Sequence, residues 1–226
     1  MDFNGVIIND EPVQMMAYQE ILSDEGIDLT EADYLDSLGM DDRTFVAAAY
    51  KRAGKTVDDA KIGELTSAKL ARWREAVADD LPLFDGIEDF IAKMAREFTL
   101  GIVSMSGRNE IEFVLDKSGL RHHFATIVSA NDVSKCKPDP EAFRMGFRQL
   151  DEARTSNSHL PMTHTECLVI EDSPPGVIGA RRADLPVLGV ANTVSDIELR
   201  KAGAGAVARD LRDWMPESIR RVFDHI

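Results

Sequence analysis

Asp2-Phe3-Asn4-Gly5-Val6-Ile7 opens the chain, and Val169-Ile170-Glu171-Asp172 follows far downstream. Both segments place carboxylates beside β-prone apolar residues, at points where a strand would give way to a loop. In an open parallel sheet, ligands bind at the loops that follow the carboxyl ends of the strands. Together with Ser104 and Lys137 from two other loops, these acidic residues are suited to hold a divalent metal and a phosphoryl group, and to offer a carboxylate that attacks it.

Strands and helices alternate after Pro82, which predicts the layout of the sheet. Strands are expected at residues 99–104, 124–129, 167–170 and 187–190, with helices at 87–98, 110–117, 140–150 and 175–183 and a polar loop at 154–165. Alternation of this kind is typical of βαβ units and of a parallel sheet covered on both faces. The predicted fold class is therefore α/β.

The segment between the first motif and Pro82 predicts helices only. Apolar residues recur at helical spacing over residues 13–25, 30–38, 41–53 and 57–78. Thr30-Glu31-Ala32-Asp33 resembles a capping box at the start of the second helix. We therefore expect an α/β core formed by residues 1–12 and 82–226, interrupted by a helical domain at 13–81.

The candidate site residues are spaced by about one βα unit. Ser104, Lys137 and Asp172 are 33 and 35 residues apart, which places successive loops at one edge of the sheet. Each has an ordinary alternative when it is taken singly. Asp2 is then a helix cap or a solvated loop residue, Ser104 a turn serine and Lys137 a surface lysine. Their combination favours an active site.

Composition and charge limit the partners. The 226 residues contain 26 lysines and arginines against 40 acidic residues, a net charge of −14 that disfavours nucleic acids and anionic membranes as partners. No stretch reaches the ~18 apolar residues of a membrane span, and no charged and then apolar leader opens the chain. Cys136 and Cys167 are too few for a disulfide framework. We expect a cytoplasmic monomer that acts on a small molecule.

The motifs resemble the haloacid dehalogenase-like (HAD) superfamily of phosphohydrolases, and in particular its β-phosphoglucomutase-like phosphatases with a helical cap. Residues 2–12, DFNGVIINDEP, are similar to the usual opening Asp-x-Asp-Gly-Val-hydrophobic-x-Asp-Ser-Glu-Pro. The other three motifs are matched by Ile102-Val103-Ser104, by Cys136-Lys137-Pro138-Asp139-Pro140-Glu141, and by Val169-Ile170-Glu171-Asp172-Ser173 with Gly176. Each is weak alone, but the four in order are specific. The resemblance covers essentially the whole chain and implies a Rossmann-like core with an inserted α-helical cap.

The resemblance implies a nucleophile and a metal site. Asp2 would attack phosphorus to give an aspartyl-phosphate. Mg²⁺ would be held by Asp2, by the backbone carbonyl of Asn4 and by Asp172, with Glu171 beside them, because hard oxygen ligands suit this ion. The protein would then be a magnesium-dependent phosphatase of a small phosphorylated metabolite.

The resemblance also implies phosphate-binding groups and a cap residue. Lys137 would neutralise the nucleophile and the transferring phosphoryl group, while the Ser104 hydroxyl and nearby backbone amides, including that of Met105, would bind phosphoryl oxygens. Residues 38–43, LGMDDR, resemble the cap loop that faces the active site, so Arg43 is a candidate for binding a substrate anion. The alternative is that Asp41 caps a helix and Arg43 faces water.

Asn4 departs from the family pattern, which has a general acid/base aspartate there. An amide neither donates nor accepts that proton near neutral pH, and loss of such a group costs about 10²–10⁴ in rate. The penalty falls hardest on sugar and alkyl phosphates, whose leaving oxygens need protonation. We therefore expect a slow phosphatase or a long-lived phosphoenzyme. Asn9, Asp10 and Gln14 also depart from the subgroup, around the hinge and substrate pocket, so it is unsafe to carry over the sugar-phosphate specificity of the mutase.

Two alternatives stay open. One is a phosphomutase of the β-phosphoglucomutase type, and the other is a catalytically weak protein that binds a phosphorylated metabolite. The second follows from Asn4 and from the start of the chain, because only Met1 precedes Asp2 where a central strand normally leads into the nucleophile. We expect that strand to begin upstream of Met1.

Overall fold

The computed structural model describes residues 1–223. The α-helices in this range are α1 (Glu11–Ser23), α2 (Glu31–Leu35), α3 (Asp42–Arg52), α4 (Asp59–Val77), α5 (Ile87–Met94), α6 (Arg108–Ser118), α7 (Glu141–Ser156), α8 (Pro174–Arg182), α9 (Asp196–Ala202) and α10 (Pro216–Val222). The strands are β1 (Leu100–Val103), β2 (Phe124–Val128), β3 (Val169–Glu171), β4 (Val187–Val190) and β5 (Ala206–Ala208).

The strands form two parallel groups that meet at the start of the chain. β1 pairs with β2, and β3, β4 and β5 pair in that order. Met1 and Asp2 lie between β1 and β3. The Val103 N–H donates to the Met1 carbonyl at 2.9 Å, and the Asp2 N–H donates to the Ile170 carbonyl at 2.9 Å. These bonds join the two groups, and the predicted α/β class with a parallel-sheet core is confirmed.

The sheet is covered by helices on both faces because neighbouring strand residues point to opposite sides. Ile102 packs in a cluster with residues of α5 and α6, such as Phe90 and Ile111. Val103, the next residue, packs in a second cluster with residues of α7 and α8. Burial on both faces explains why the strands are continuous apolar runs in the sequence.

Helices α1 to α4 have an apolar cluster of their own. Its centre is Tyr18 of α1 stacked on Phe45 of α3, with ring centroids 3.9 Å apart. Trp73 of α4 instead packs in the cluster of α5 and α6, so α4 contacts both parts of the molecule. This packing agrees with a helical insertion. Its boundaries at residues 13 and 81 stay a prediction.

The structure corrects several predicted elements. Helix α7 continues to Ser156, so the predicted polar loop at 154–165 begins later than expected. Three elements near the C-terminus, α9, β5 and α10, were not predicted. Their apolar patterns are short, since β5 is only Ala206–Ala208. The capping box at Thr30 and Asp33 is present. No helix in residues 1–223 is both long and apolar enough to cross a bilayer.

Candidate active site

The predicted site residues lie together where the parallel strands end. Ser104 directly follows β1, Glu171 ends β3 and Asp172 follows it, while Lys137 stands between β2 and α7. Asp2 lies beside them because its backbone fills the place between β1 and β3. All five residues are buried. The predicted meeting of distant loops at one edge of the sheet therefore occurs.

Lys137 links two of the carboxylates. Its Nζ donates to Asp2 Oδ2 at 2.8 Å and also to Glu171 Oε1. Burial lowers the pKa of Lys137, but the neighbouring Asp2 and Glu171 carboxylates outweigh it and hold the pKa above its usual value. The side chain is therefore a fixed positive charge, in direct contact with the candidate nucleophile.

The acidic residues exceed the charge that one lysine can balance. Asp2, Glu171 and Asp172 each offer an oxygen within 4.8 Å of the others. Burial and the nearby Glu171 raise the pKa of Asp2 to about 7, against the opposing effect of Lys137. Burial, Glu171 and Asp2 raise the pKa of Asp172 well above its usual value. Three buried carboxylates beside a single ammonium fit a divalent cation, which would favour their charged forms.

Glu171 is held in place by the start of α8. Its Oε2 accepts from the backbone N–H of Asp172 at 3.0 Å and of Ser173 at 3.1 Å. Burial raises the pKa of Glu171, but Lys137, a hydrogen bond with Asp2 and the Ser173 N–H bring it below its usual value. Gly176 on α8 leaves room for this carboxylate, because a Cβ there would lie 1.8 Å from Glu171 Oε1.

Gly5 has a comparable reason to be glycine. Its φ of +71° is in the left-handed region, and a Cβ there would lie 1.8 Å from Asp172 Oδ2. The turn after Asn4 therefore brings the backbone against Asp172. This close approach is consistent with the Asn4 carbonyl as a predicted metal ligand.

Asn4 is fixed by a buried partner that the sequence did not reveal. Its Nδ2 donates to Asp10 Oδ1 at 2.9 Å and to Asp10 Oδ2 at 3.0 Å. Its Oδ1 accepts from the Ser106 hydroxyl, with the Ser104 hydroxyl at 3.5 Å. Asp10 is fully buried and also accepts from Trp73 Nε1 at 2.8 Å. The amide at position 4 and the acid at position 10 are thus complementary.

The predicted phosphate-binding groups lie at the same cavity. Ser104 and Met105 line it, together with Asp2, Asn4 and Lys137. The Ser104 N–H is used within the sheet, where it donates to the Val128 carbonyl at 2.9 Å, so the hydroxyl is the part of Ser104 that faces the cavity residues. The cavity has a volume of about 90 Å³.

Helices α1 to α4 and their loops form the other side of the cavity. Residues from the predicted cap loop are included, namely Leu38, Gly39 and Met40, along with Asp42. Gly39 has a φ of +84°, and a Cβ there would lie 2.8 Å from Pro175 Cβ. The remaining residues on this side are Glu11, Gln14, Tyr18, Tyr34, Ser37, Phe45 and Lys69.

Arg43 is not placed where the substrate role requires it. Its guanidinium pairs with Asp59 at 2.7 Å, and 55% of its side chain is exposed outside the cavity. The reason is the cap of α3, because Asp41 accepts from the Thr44 N–H and turns Arg43 outward. The lysine that lines this side is Lys69, which is buried and bonds Asp42 at 3.0 Å and Glu110 at 2.8 Å. Lys69 stands in mid-helix, so no sequence signal marked it.

Comparisons with known proteins agree with this geometry. Residues 1–190 match the family described as haloacid dehalogenase-like hydrolase. The chain belongs to this family. The family resemblance stated from the motifs and the prediction of a phosphatase-type enzyme are confirmed.

Individual relatives extend over most of the chain. The chain is 26% identical over 219 residues to validoxylamine A 7'-phosphate phosphatase of Streptomyces hygroscopicus subsp. limoneus, covering 94% of this chain and 92% of that protein. It is 25% identical over 217 residues to the chloroplastic protein SUPPRESSOR OF QUENCHING 1 of Arabidopsis thaliana, covering 93% of this chain but 19% of that much longer protein.

A solved structure shows the same fold. β-Phosphoglucomutase from Clostridium difficile superposes with a TM-score of 0.84 at 21% identity, covering 99% of this chain and 95% of that one. This similarity confirms the predicted fold, a Rossmann-like core with an inserted helical cap.

Proposed function

We propose that this protein hydrolyses a small phosphorylated metabolite with the help of Mg²⁺, and that Asp2 is the nucleophile. The observation that carries the proposal is the position of Asp2, which is buried, bonded to Lys137 at 2.8 Å and grouped with Glu171 and Asp172. A nucleophile, a fixed cation and a cation-binding acidic pair in one cavity are what transfer of a phosphoryl group requires.

The metal would be held by Asp2, Asp172 and the backbone carbonyl of Asn4, with Glu171 beside them. When bound, Mg²⁺ offsets the repulsion between the Asp2 carboxylate and the phosphate. Lys137 supplies the other positive charge, and it keeps Asp2 oriented for attack. The Ser104 hydroxyl and the Met105 backbone would bind the phosphoryl oxygens.

The reaction would take place in two steps on Asp2. In the first, a carboxylate oxygen forms a bond to phosphorus while the bond from phosphorus to the leaving oxygen breaks. In the second, water attacks the phosphorus of the aspartyl-phosphate, which releases phosphate and restores the carboxylate. The leaving oxygen gains a proton in the first step and water loses one in the second.

Asn4 limits both proton transfers. Its amide is held between Asp10 and the Ser106 hydroxyl and has no titratable proton near neutral pH. Acyl and aryl phosphates, whose leaving oxygens need little protonation, should therefore react faster than alkyl phosphates. The helical domain at residues 13–81 would act as a cap that admits substrate and excludes water, with hinges near residues 12 and 82.

The test is phosphate release from acetyl, p-nitrophenyl and glycerol phosphates, measured with Mg²⁺ and with a chelator. We expect metal-dependent turnover that Asp2→Asn abolishes. Asp116→Asn, an exposed aspartate on α6, is the matched control. Isomerisation of a sugar phosphate without phosphate release would instead identify a phosphomutase. Calorimetric binding of phosphate esters without turnover would identify a binding protein.

A further inference from the structure

One face of α1 lines the cavity on the side away from the strand ends. Glu11, Gln14 and Tyr18 lie three and four residues apart, which puts their side chains on the same side of the helix. Asp42, at the start of α3, completes this wall. We call Glu11, Gln14 and Asp42 the acceptor wall, because their side-chain oxygens can accept hydrogen bonds.

Gln14 carries a buried acceptor that nothing satisfies. Its side chain is 5% exposed, and its Nε2 donates to Asp10 Oδ2 at 2.9 Å. Within residues 1–223, no donor bonds its Oε1. Turning the amide over would set Oε1 against the Asp10 carboxylate, so the orientation is determined by its neighbour. A buried carbonyl oxygen without a donor is unfavourable, and a donor arriving with the substrate would relieve this cost.

The two carboxylates of the acceptor wall also have free capacity. Glu11 accepts from the Tyr34 hydroxyl, and Asp42 accepts from the Tyr18 hydroxyl and from Lys69 Nζ. A carboxylate has about four acceptor positions, so each can take a further N–H or O–H. The hydroxyls of Tyr18 and Tyr34 already donate to these two acids, so their protons are not available to a substrate.

Cations on this side of the cavity are already paired. In the part of the chain that the structure describes, Lys69 and Lys137 are the basic residues that line the cavity. Lys69 bonds both Asp42 and Glu110, and Lys137 bonds Asp2 and Glu171. A second anionic group on the substrate would meet carboxylates here, and its burial would lack a counter-charge.

From these contacts we infer that the acceptor wall selects the leaving group of the substrate: it binds hydroxyl or ammonium groups and rejects a second phosphate or a carboxylate. This inference rests on the proposed function and adds a substrate class to it. The substrate is then a phosphate monoester of a polyol or an amino alcohol. A bisphosphate or a phosphorylated carboxylic acid would be a poor substrate.

Three small phosphate esters with the same three-carbon skeleton test the inference. Glycerol 3-phosphate carries hydroxyls, propyl phosphate has no donor on its leaving group, and 3-phosphoglycerate replaces the terminal hydroxymethyl with a carboxylate. We expect kcat/KM for glycerol 3-phosphate to exceed the other two by about tenfold or more, which is the effect of one matched hydrogen bond or one unpaired charge. The ratio of kcat/KM for ethanolamine phosphate to that for ethyl phosphate tests whether the acceptor wall also binds an ammonium group.

Gln14→Met removes the unsatisfied acceptor with little change in size. The preference for glycerol 3-phosphate over propyl phosphate should fall, while Glu11 and Asp42 retain part of it. Because the preference is a ratio, a general loss of folded protein cancels. Gln19→Met on the same helix is the matched control, since Gln19 bonds the Leu29 carbonyl at 3.1 Å and lies outside the cavity. It should keep the preference of the unaltered protein.

The outcomes separate the inference from the proposed function. If acetyl phosphate is hydrolysed but kcat/KM is equal for 3-phosphoglycerate and glycerol 3-phosphate, the acceptor wall does not select the leaving group. An unchanged preference in Gln14→Met has the same meaning. If acetyl phosphate is not hydrolysed, the proposed function fails, and calorimetric binding of the same three esters then decides the inference.

Discussion

Two buried lysines, Lys137 and Lys69, have nearly the same surroundings and different places in the molecule. Each side chain is 2% exposed and bonds two carboxylates, Asp2 and Glu171 for Lys137, Asp42 and Glu110 for Lys69. Lys137 joins loops at one edge of the sheet. Lys69 joins α3 and α4 to α6 and so connects the helical part to the core.

The two groups differ in how much acidic charge the lysine leaves unbalanced. The Lys137 group has a third acid, Asp172, whose pKa is raised by burial and by its acidic neighbours. The Lys69 group contains two acids in contact with one lysine, and the Tyr18 hydroxyl also donates to Asp42. A surplus of buried acid suits a metal and a phosphate, whereas a nearly balanced group suits structural linkage. The same local pairing is therefore suited to chemistry in one place and to packing in the other.

Removal of Lys137 should have the largest effect on activity. Lys137→Met leaves Asp2 without its cation and removes a charge from the phosphoryl site, so we expect kcat to fall by about 10³ or more. Steady-state kinetics with acetyl phosphate measures this. Lys135→Met is the control, because Lys135 is exposed and pairs with Asp139 at 3.4 Å, outside the cavity. Equal losses in both variants would contradict the comparison.

Removal of Lys69 should mainly reduce stability. Lys69→Met leaves Glu110 buried without its counter-charge, and loss of one partner of such a pair costs about 3–5 kcal/mol. Urea unfolding at neutral pH measures the change. The double variant Lys69→Met with Glu110→Gln should recover part of it, because the more deeply buried of the two acids is then replaced by a neutral amide. A double variant no more stable than the single one would show that the ion pair is not the cause.

Asn4→Asp should behave differently with and without its partner. A carboxylate at position 4 would stand within hydrogen-bond distance of the Asp10 carboxylate, so the two would share a proton and the single variant should lose about 1–3 kcal/mol of stability. Asn4→Asp combined with Asp10→Asn restores one acid and one amide. We expect that pair to raise alkyl phosphate turnover by about 10²-fold, the rate attributable to a general acid/base.

Turnover of glycerol phosphate relative to acetyl phosphate is the measurement for these variants. The single Asp10→Asn variant is the control, since it places two amides side by side without restoring an acid. If both Asn4→Asp variants leave alkyl phosphate turnover unchanged or lower it, proton transfer at position 4 is not what limits the enzyme.

Glu11 should make the stability of the protein depend on pH. Burial raises the pKa of Glu11 to about 7 from 4.5 in the unfolded chain, despite the Tyr34 hydroxyl that donates to it. The folded state then holds the proton more strongly, so this residue reduces stability as pH rises from about 4.5 to 7. Glu11→Gln should be more stable than the unaltered protein by about 3 kcal/mol above pH 7, and the difference should shrink towards zero near pH 4.5. Thermal unfolding across this range checks the sign.

Sequence reasoning located the Lys137 group because strand ends are visible in the sequence. Apolar runs followed by Ser104 and by Glu171-Asp172 mark loops, and a parallel sheet brings such loops to one edge. No comparable sequence pattern indicated the Lys69 group. A lysine in mid-helix is ordinarily exposed, and its partner Glu110 lies on another helix, so only the packing of α4 against α6 reveals the pair.

The cap residue was harder to predict for a related reason. Arg43 and Asp42 are neighbours in the sequence, but the helix start at Asp41 decides which one faces the cavity. The partner of Asn4 was not predicted because Asp10 lies six residues further along the chain. The turn at Gly5 brings the two side chains within hydrogen-bond distance. The functions of these residues depend on contacts that no local pattern determines.

The central claim is that Asp2 becomes phosphorylated. The most direct measurement is mass spectrometry of the protein quenched in acid during turnover of acetyl phosphate with Mg²⁺. We expect one phosphate on the peptide that contains Asp2, lost on treatment with hydroxylamine and absent in Asp2→Asn. Turnover without a phosphorylated Asp2, or an Asp2→Asn variant that still hydrolyses the ester, would contradict the claim.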